Sequence, residues 1–255
     1  MSNTKQTDLK DIKSNELVKR GRQRSFGRTS SRMSLADQEK LDTRLAEFEL
    51  KYTNTKDEQI DLPKILSKYN KLVVELGIGN GQSVYNRSGD EPENAFIGVE
   101  VYKNGLRSLV IDMEKSPHKN LKISGDDARN VLEALPENSV DELVVLYPDP
   151  WPKKRHNKKR IIQKDFLELA AKVVKEDGKL FIATDIPDYA FWMIREIMQQ
   201  GDFFPTAIDP IEWTKAPNWW VSTKYEKKAL QLGRRPWYMT FAMNVEKINT
   251  KCETL

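Results

Sequence analysis

Five short apolar runs recur along the chain, KLVVEL, AFIGVEV, LKIS, DELVVLY and KLFIAT, each separated from the next by a long connection. Runs this apolar have no polar face to turn to solvent, so the strands they form must be covered on both sides. That is the arrangement of a parallel sheet with helices on both faces, an α/β architecture. The connections carry the helices. Helical spacing is clearest in Ile162, Phe166, Leu169, Ala170 and Val173, and again after Pro187 in Tyr189, Met193, Ile194 and Ile197. Upstream, Ser34 begins a capping pattern ahead of Leu41, Leu45 and Phe48. The end of the chain breaks the alternation: FFPTAIDPIEW and PWYMTFAMNV are β-rich and predict an antiparallel pair added at one edge.

With 255 residues and 38% aliphatic and aromatic content, one α/β domain accounts for the core. The reading is a basic tail over 1–32, one domain over 33–248 and a short tail over 249–255. The first tail holds nine Lys/Arg against three Asp/Glu and Phe26 as its only aromatic residue. Such a segment cannot offset its ordering entropy and is expected to be disordered when free. Contact with a polyanion, plain solubilisation and organellar targeting are open to it, with Asp8, Asp11 and Glu16 speaking against targeting. No apolar run of about 18 residues is present to cross a bilayer, and the N-terminus lacks the apolar centre of a secretion signal. The expectation is a soluble, cytoplasmic protein with no membrane partner. Cys252 is the single cysteine, with His118 and His156 the only histidines, so neither a disulfide nor a metal site is expected. The sequence leaves monomer and homodimer open.

KLVVEL runs directly into Gly77-Ile78-Gly79-Asn80-Gly81. Alternate glycines permit positive φ and let the backbone approach a ligand at the switch point of a parallel sheet. A dinucleotide fingerprint needs a third glycine where Gln82 stands, so NAD is disfavoured. The order acid, any residue, Gly-x-Gly-x-Gly, here Glu75 to Gly81, resembles S-adenosylmethionine-dependent methyltransferases with the Rossmann-like fold. A carboxylate at this loop attracts a cationic sulfonium and repels a pyrophosphate. Glu100 ends the second apolar run, in the register where an acid accepts hydrogen bonds from ribose hydroxyls. Asp127 follows the third, with two compatible roles: capping the helix that begins at Ala128, or holding the exocyclic amine of an adenine. Asp126 falls one position early for the same task.

After DELVVLY comes YPDPWPKKRHNKKR, Tyr147 to Arg160. Each proline removes an amide donor and biases the residue before it to extended geometry, which predicts a stiff segment holding Asp149. A mobile basic run is expected to follow it. Trp151 offers a surface for a base, a pocket wall or a core residue.

YPDPWPKKRHNKKRI resembles the signature of the bacterial tRNA (guanine-N(7))-methyltransferase family. FIGVEV with Gly105, GDDARNVL, IATD ending at Asp185, and Thr223-Lys224-Tyr225-Glu226 before RRPWYMTF extend the similarity from about Arg24 to Met243. The resemblance implies a class I methyltransferase fold, a mostly parallel seven-stranded sheet with antiparallel C-terminal edge strands and helices on both faces. It implies S-adenosylmethionine as cofactor, tRNA as partner, and transfer to N(7) of guanine 46 in the variable loop. It places Glu75, Gly77, Gly79, Gly81, Glu100, Asp127 and Asp149 at the cofactor. It places Lys153, Asp185, Thr223, Lys224, Tyr225 and Glu226 on the RNA substrate, with Arg155, His156, Asn157, Lys158, Lys159 and Arg160 as an RNA-interacting run. Tyr225 stands where phenylalanine is usual, Tyr102 replaces a common histidine, and VYNRSGDE is a weaker helix former than the family's first helix.

Guanine N(7) carries a lone pair and no proton, so its methylation needs no general base and no covalent enzyme intermediate. Asp149 and Asp185 are the candidate catalytic residues, placed to orient the guanine through its N(1)–H and amino donors and to stabilise the product cation. The cations from Lys153 to Arg160 are suited to tRNA phosphates. Asp185 has a second reading as the cap of the following helix, and Trp219 and Trp220 are open to stacking on RNA or to packing in the core. Two rival functions are an RNA-binding protein with an inactive methyltransferase fold, and a methyltransferase for another RNA base.

Overall fold

The computed structural model describes residues 33–52 and 60–244; the two expected tails and residues 245–248 lie outside them. Each apolar run becomes a strand: β1 is Leu72–Leu76, β2 Ala95–Val99, β3 Leu121–Ser124, β4 Val140–Leu146 and β5 Val174–Thr184. The edge strands are β6, Phe203–Pro205, and β7, Trp237–Met243. Among the described residues these seven strands form one sheet in the order β3-β2-β1-β4-β5-β7-β6. Pairing is parallel from β3 to β5, and β7 runs antiparallel to both β5 and β6.

Side-chain alternation separates the two faces. In β1, Leu72, Val74 and Leu76 point into one apolar layer and Val73 into the other. The first layer is closed by α5 (Ala128–Ala134), α6 (Lys164–Val173) and α7 (Pro187–Gln200), through residues such as Leu132, Phe166 and Met193. The second is closed by α1 (Leu35–Leu45), α3 (Gln82–Asp90) and α4 (Lys103–Lys115), through Leu41, Val84 and Leu109. Two short helices complete the set, α2 (Leu62–Leu66) ahead of β1 and α8 (Lys224–Gln231) ahead of β7. Ser34 caps α1 as expected, its Oγ accepting from Asp37 N–H at 3.1 Å.

Two expectations change and one open point is answered. β5 is longer than KLFIAT: it begins where α6 ends, because Val174 pairs with Val140 across an irregular register that then resumes at Glu142 and Lys179. Of FFPTAIDPIEW only three residues become strand; Asp209 caps a 3-10 turn at Pro210–Thr214 with a reciprocal capping box. The weak helix former VYNRSGDE does form α3. Its buried Arg87 pairs with Glu91 and Glu142 at 2.7 Å and lies 4.0 Å from the centre of the Trp219 ring, so tertiary contacts compensate for low propensity.

Candidate active site

Because β1 pairs with both β2 and β4, a crevice opens beyond its carboxyl end, where chain order reverses. The glycine loop fills the turn from β1 to α3. Gly77, Gly79 and Gly81 have φ of +74°, +59° and +75°, and a Cβ on Gly81 would lie 2.6 Å from Leu109. Gly105 is more demanding: a Cβ there would lie 2.0 Å from the Gly79 carbonyl oxygen, so α4 can approach the loop only with glycine at that position. Nothing lies within 4 Å of the Cβ position at Gly77, which leaves this side of the loop open.

Three acids converge here from separate strands. Glu75 is buried at the end of β1, its Oε2 accepting from Ser83 Oγ at 3.0 Å, and burial raises its pKa to about 7. Glu100 follows β2 and accepts from Gly79 N–H at 2.7 Å and Tyr102 N–H at 2.8 Å, so it braces the loop; burial raises its pKa too. Asp149 follows β4 on an exposed position, yet the surrounding walls desolvate its carboxyl and raise it. Asp127, after β3, is buried and caps α5 by accepting from Arg129 N–H at 2.9 Å. Asp126 is occupied elsewhere, accepting from Tyr52 Oη, Asp127 N–H and Asn130 Nδ2.

The proline-framed segment is not simply extended. Tyr147 and Trp151, each ahead of a proline, have φ of +49° and +40°, a region that bulky residues rarely enter. Packing holds both. Tyr147 sits between Tyr225 and Trp220, and Trp151 is covered by the His156 edge at 5.8 Å and by Lys159 Nζ at 4.7 Å. Nor is the basic run irregular: Lys154–Lys159 forms a 3-10 turn. Lys153, Lys154, Arg155 and Lys158 are exposed, while His156, Asn157 and Lys159 are half-buried. Desolvation, then the neighbouring cations, lowers the pKa of His156. Arg160 is the correction within this run. It is 2% exposed and its guanidinium is spent inside the protein, so it does not face phosphate as the charge pattern suggested.

The C-terminal motif divides in the same way. Thr223 caps α8, accepting from Glu226 N–H at 3.1 Å, and Lys224 is exposed. Thr223 and Tyr225 line the crevice together with Glu75, Gly77, Asn80, Ser83 and Tyr147. Tyr225 comes within 3.6 Å of the Cβ position at Gly79, and Glu100 and Asp149 act on its hydroxyl. It therefore sits beside the glycine loop and the acids that converge on it, with about half of its surface still exposed. Glu226 turns inward: only 5% exposed, it accepts from Trp220 Nε1 at 3.0 Å and from Tyr238 Oη. In this arrangement it ties α8 to β7, with its carboxylate turned into the protein. Trp219 and Trp220 pack against the second apolar layer. Asp185 follows β5 and lies 2.8 Å from Arg234 Nε. It does not cap α7, whose cap residue is Ile186. Ser83, Tyr147 and Arg234 were not anticipated. For Tyr147 and Ser83 the signal was adjacency to site motifs; Arg234 opens the RRPWYMTF motif, but nothing in that motif pointed to Asp185 as its partner.

Among the described residues no group of three or more His, Cys, Asp or Glu is placed to hold a metal ion, and no helix is long and apolar enough to cross a membrane. A glycine loop with acids at the ends of successive parallel strands, on a sheet closed by an antiparallel pair, defines a class I, Rossmann-like methyltransferase fold. Solved structures share it: an antibiotic-related methyltransferase, with TM-score 0.53 and 18% identity over 74% of this chain and 94% of that one, and the 16S rRNA methyltransferase KamB, with TM-score 0.53 and 16% identity over 74% and 95%. Residues 69–239 match the family described as "Putative methyltransferase". The tRNA (guanine-N(7)-)-methyltransferase of Azorhizobium caulinodans is 35% identical over 190 residues, 72% of this chain and 83% of that protein. That of Mesorhizobium japonicum is 36% identical over 188 residues, 73% and 81% of the two chains. The chain belongs to the tRNA (guanine-N(7)-)-methyltransferase family.

Proposed function

We propose that the protein transfers a methyl group from S-adenosylmethionine to N(7) of guanine 46 in the tRNA variable loop, in the cytoplasm, as a monomer or homodimer. The observation that carries the reading is the convergence of Glu75, Glu100 and Asp149 on a glycine loop that α4 can approach only through Gly105. This cradle suits the cofactor, since a loop without side chains admits a close ligand and carboxylates favour a cation over a phosphate. When bound, the cofactor supplies a sulfonium methyl that the guanine N(7) lone pair takes in one in-line displacement.

Glu75 and Asp149 then hold negative potential beside the cation, and Glu100 offers its remaining lone pairs to ribose hydroxyls while bracing Gly79. Asp127 has the position to accept from an adenine amine, beyond its role as helix cap. Asp149 and Asp185 accept from the guanine N(1)–H and amino group, orienting N(7) and stabilising the cationic product without taking a proton. Lys153, Lys154, Arg155 and Lys158 are exposed where phosphates can reach them, and Lys224 is exposed as well.

Incubation with methyl-labelled cofactor and unmodified tRNA should label nucleotide 46, and replacing that guanine with adenine should abolish labelling. Label on an exocyclic amine would mean another base chemistry, and cofactor binding without any transfer would favour an inactive RNA-binding relative.

A further inference from the structure

Arg160 closes a run of cations, yet almost none of its surface meets solvent. A buried guanidinium is costly unless its charge is paired and its donors are used. Nε donates to the Pro150 carbonyl at 2.8 Å and Nη2 to Asp188 Oδ2 at 2.8 Å. The rings of Tyr189 and Trp192 lie 4.9 and 4.8 Å from Cζ. Its backbone N–H donates to the Asn157 carbonyl, ending the basic turn, and its carbonyl accepts from Gln163 Nε2.

These contacts reach three parts of the site. Pro150 directly follows Asp149, the turn at Lys154–Lys159 carries exposed cations, and Asp188 lies in the first turn of α7 just after Asp185. The bond to Pro150 also falls immediately before Trp151, whose left-handed φ is strained for a bulky residue and persists only where its surroundings hold it. Resting on the function proposed above, we propose that Arg160 is a positioning residue: it makes no phosphate contact and fixes Asp149, the basic turn and the start of α7 beside Asp185 as one unit. Lysine cannot substitute, because a point-charge ammonium does not reproduce a planar fork that reaches a carbonyl and a carboxylate together.

The test compares Arg160→Lys, Asp188→Asn and Lys158→Ala with the unaltered protein. Three quantities are read: single-turnover transfer at saturating tRNA, tRNA affinity across a salt series, and amide hydrogen exchange over residues 153–160. Arg160→Lys should slow transfer about tenfold or more, speed exchange in that segment and leave the salt slope unchanged. Lys158→Ala should reduce the slope by about one. Asp188→Asn, whose side chain is 81% exposed and keeps an amide oxygen to accept from Arg160, should slow transfer a few-fold and speed exchange. A slope flattened by Arg160→Lys would make Arg160 a phosphate ligand and overturn the proposal. So would unchanged transfer and exchange in Arg160→Lys, or in Asp188→Asn should the lysine variant not fold. If the unaltered protein transfers no methyl to tRNA while Arg160→Lys still speeds exchange, the functional reading fails and the structural role of Arg160 stands.

Discussion

Glu75 shows how one side chain carries charge information that its position alone supplies. In an unfolded chain it titrates near 4.5; buried at the end of β1, it titrates at about 7. The folded protein therefore binds the extra proton more readily than the unfolded chain between those values. The stability this residue contributes is fully present below 4.5 and is lost as pH rises through about 7. Urea midpoints measured from about pH 5 to about pH 8 should fall for the unaltered protein and flatten in Glu75→Gln, which keeps the Ser83 contact but cannot ionise. Parallel curves for the two proteins would show that burial is not what governs this carboxyl. The same reasoning links Glu75 to its ligand: a bound cation favours the ionised form, so cofactor affinity should rise through the same pH range.

At the scale of elements, the glycine loop is held by what packs against it. Glu100 reaches back from the end of β2 to Gly79 N–H, and the first turn of α4 closes on the Gly79 carbonyl at Gly105. Gly105→Ala must push α4 and the loop apart, at a cost of about 1–3 kcal/mol. Chemical denaturation should register that loss, and titration with S-adenosylhomocysteine should show weakened binding, since the displaced loop is the cradle itself. An alanine variant of unchanged stability and affinity would place the close approach outside the functional state. α8 follows the same logic from the other side of the crevice. Glu226 is anchored to Trp220 and Tyr238, which sets Tyr225 over Gly79 and leaves Lys224 outward.

For the molecule as a whole, buried charges tie helices to the sheet beneath them. Arg87 is the clearest, linking α3 to β4 through Glu142 and to the Trp219 segment, with its side chain 7% exposed and Glu142 20% exposed. Arg87→Met leaves Glu142 without its partner and should destabilise the fold by on the order of 3 kcal/mol in urea denaturation. Removing the orphaned charge as well, in Arg87→Met with Glu142→Gln, should recover part of the loss. No recovery would locate the cost in packing against Trp219 rather than in the unpaired charge.

Strand identity, sheet class and the acids at the strand ends were legible in the sequence, because buried parallel strands cannot be polar and the acids fall in register with a glycine loop at the end of the first strand. Asp149 was legible for the same local reason, being framed by prolines. The roles of Arg160, Glu226 and Arg234 were not. A cation at the end of a basic run looks like its neighbours until α7 supplies Asp188, Tyr189 and Trp192 around it. Glu226 faces inward only because Trp220 and Tyr238 meet it there. Composition and periodicity are properties of the chain near a residue, whereas the direction of a charged side chain is decided by partners distant in sequence that only the folded sheet brings within hydrogen-bonding reach.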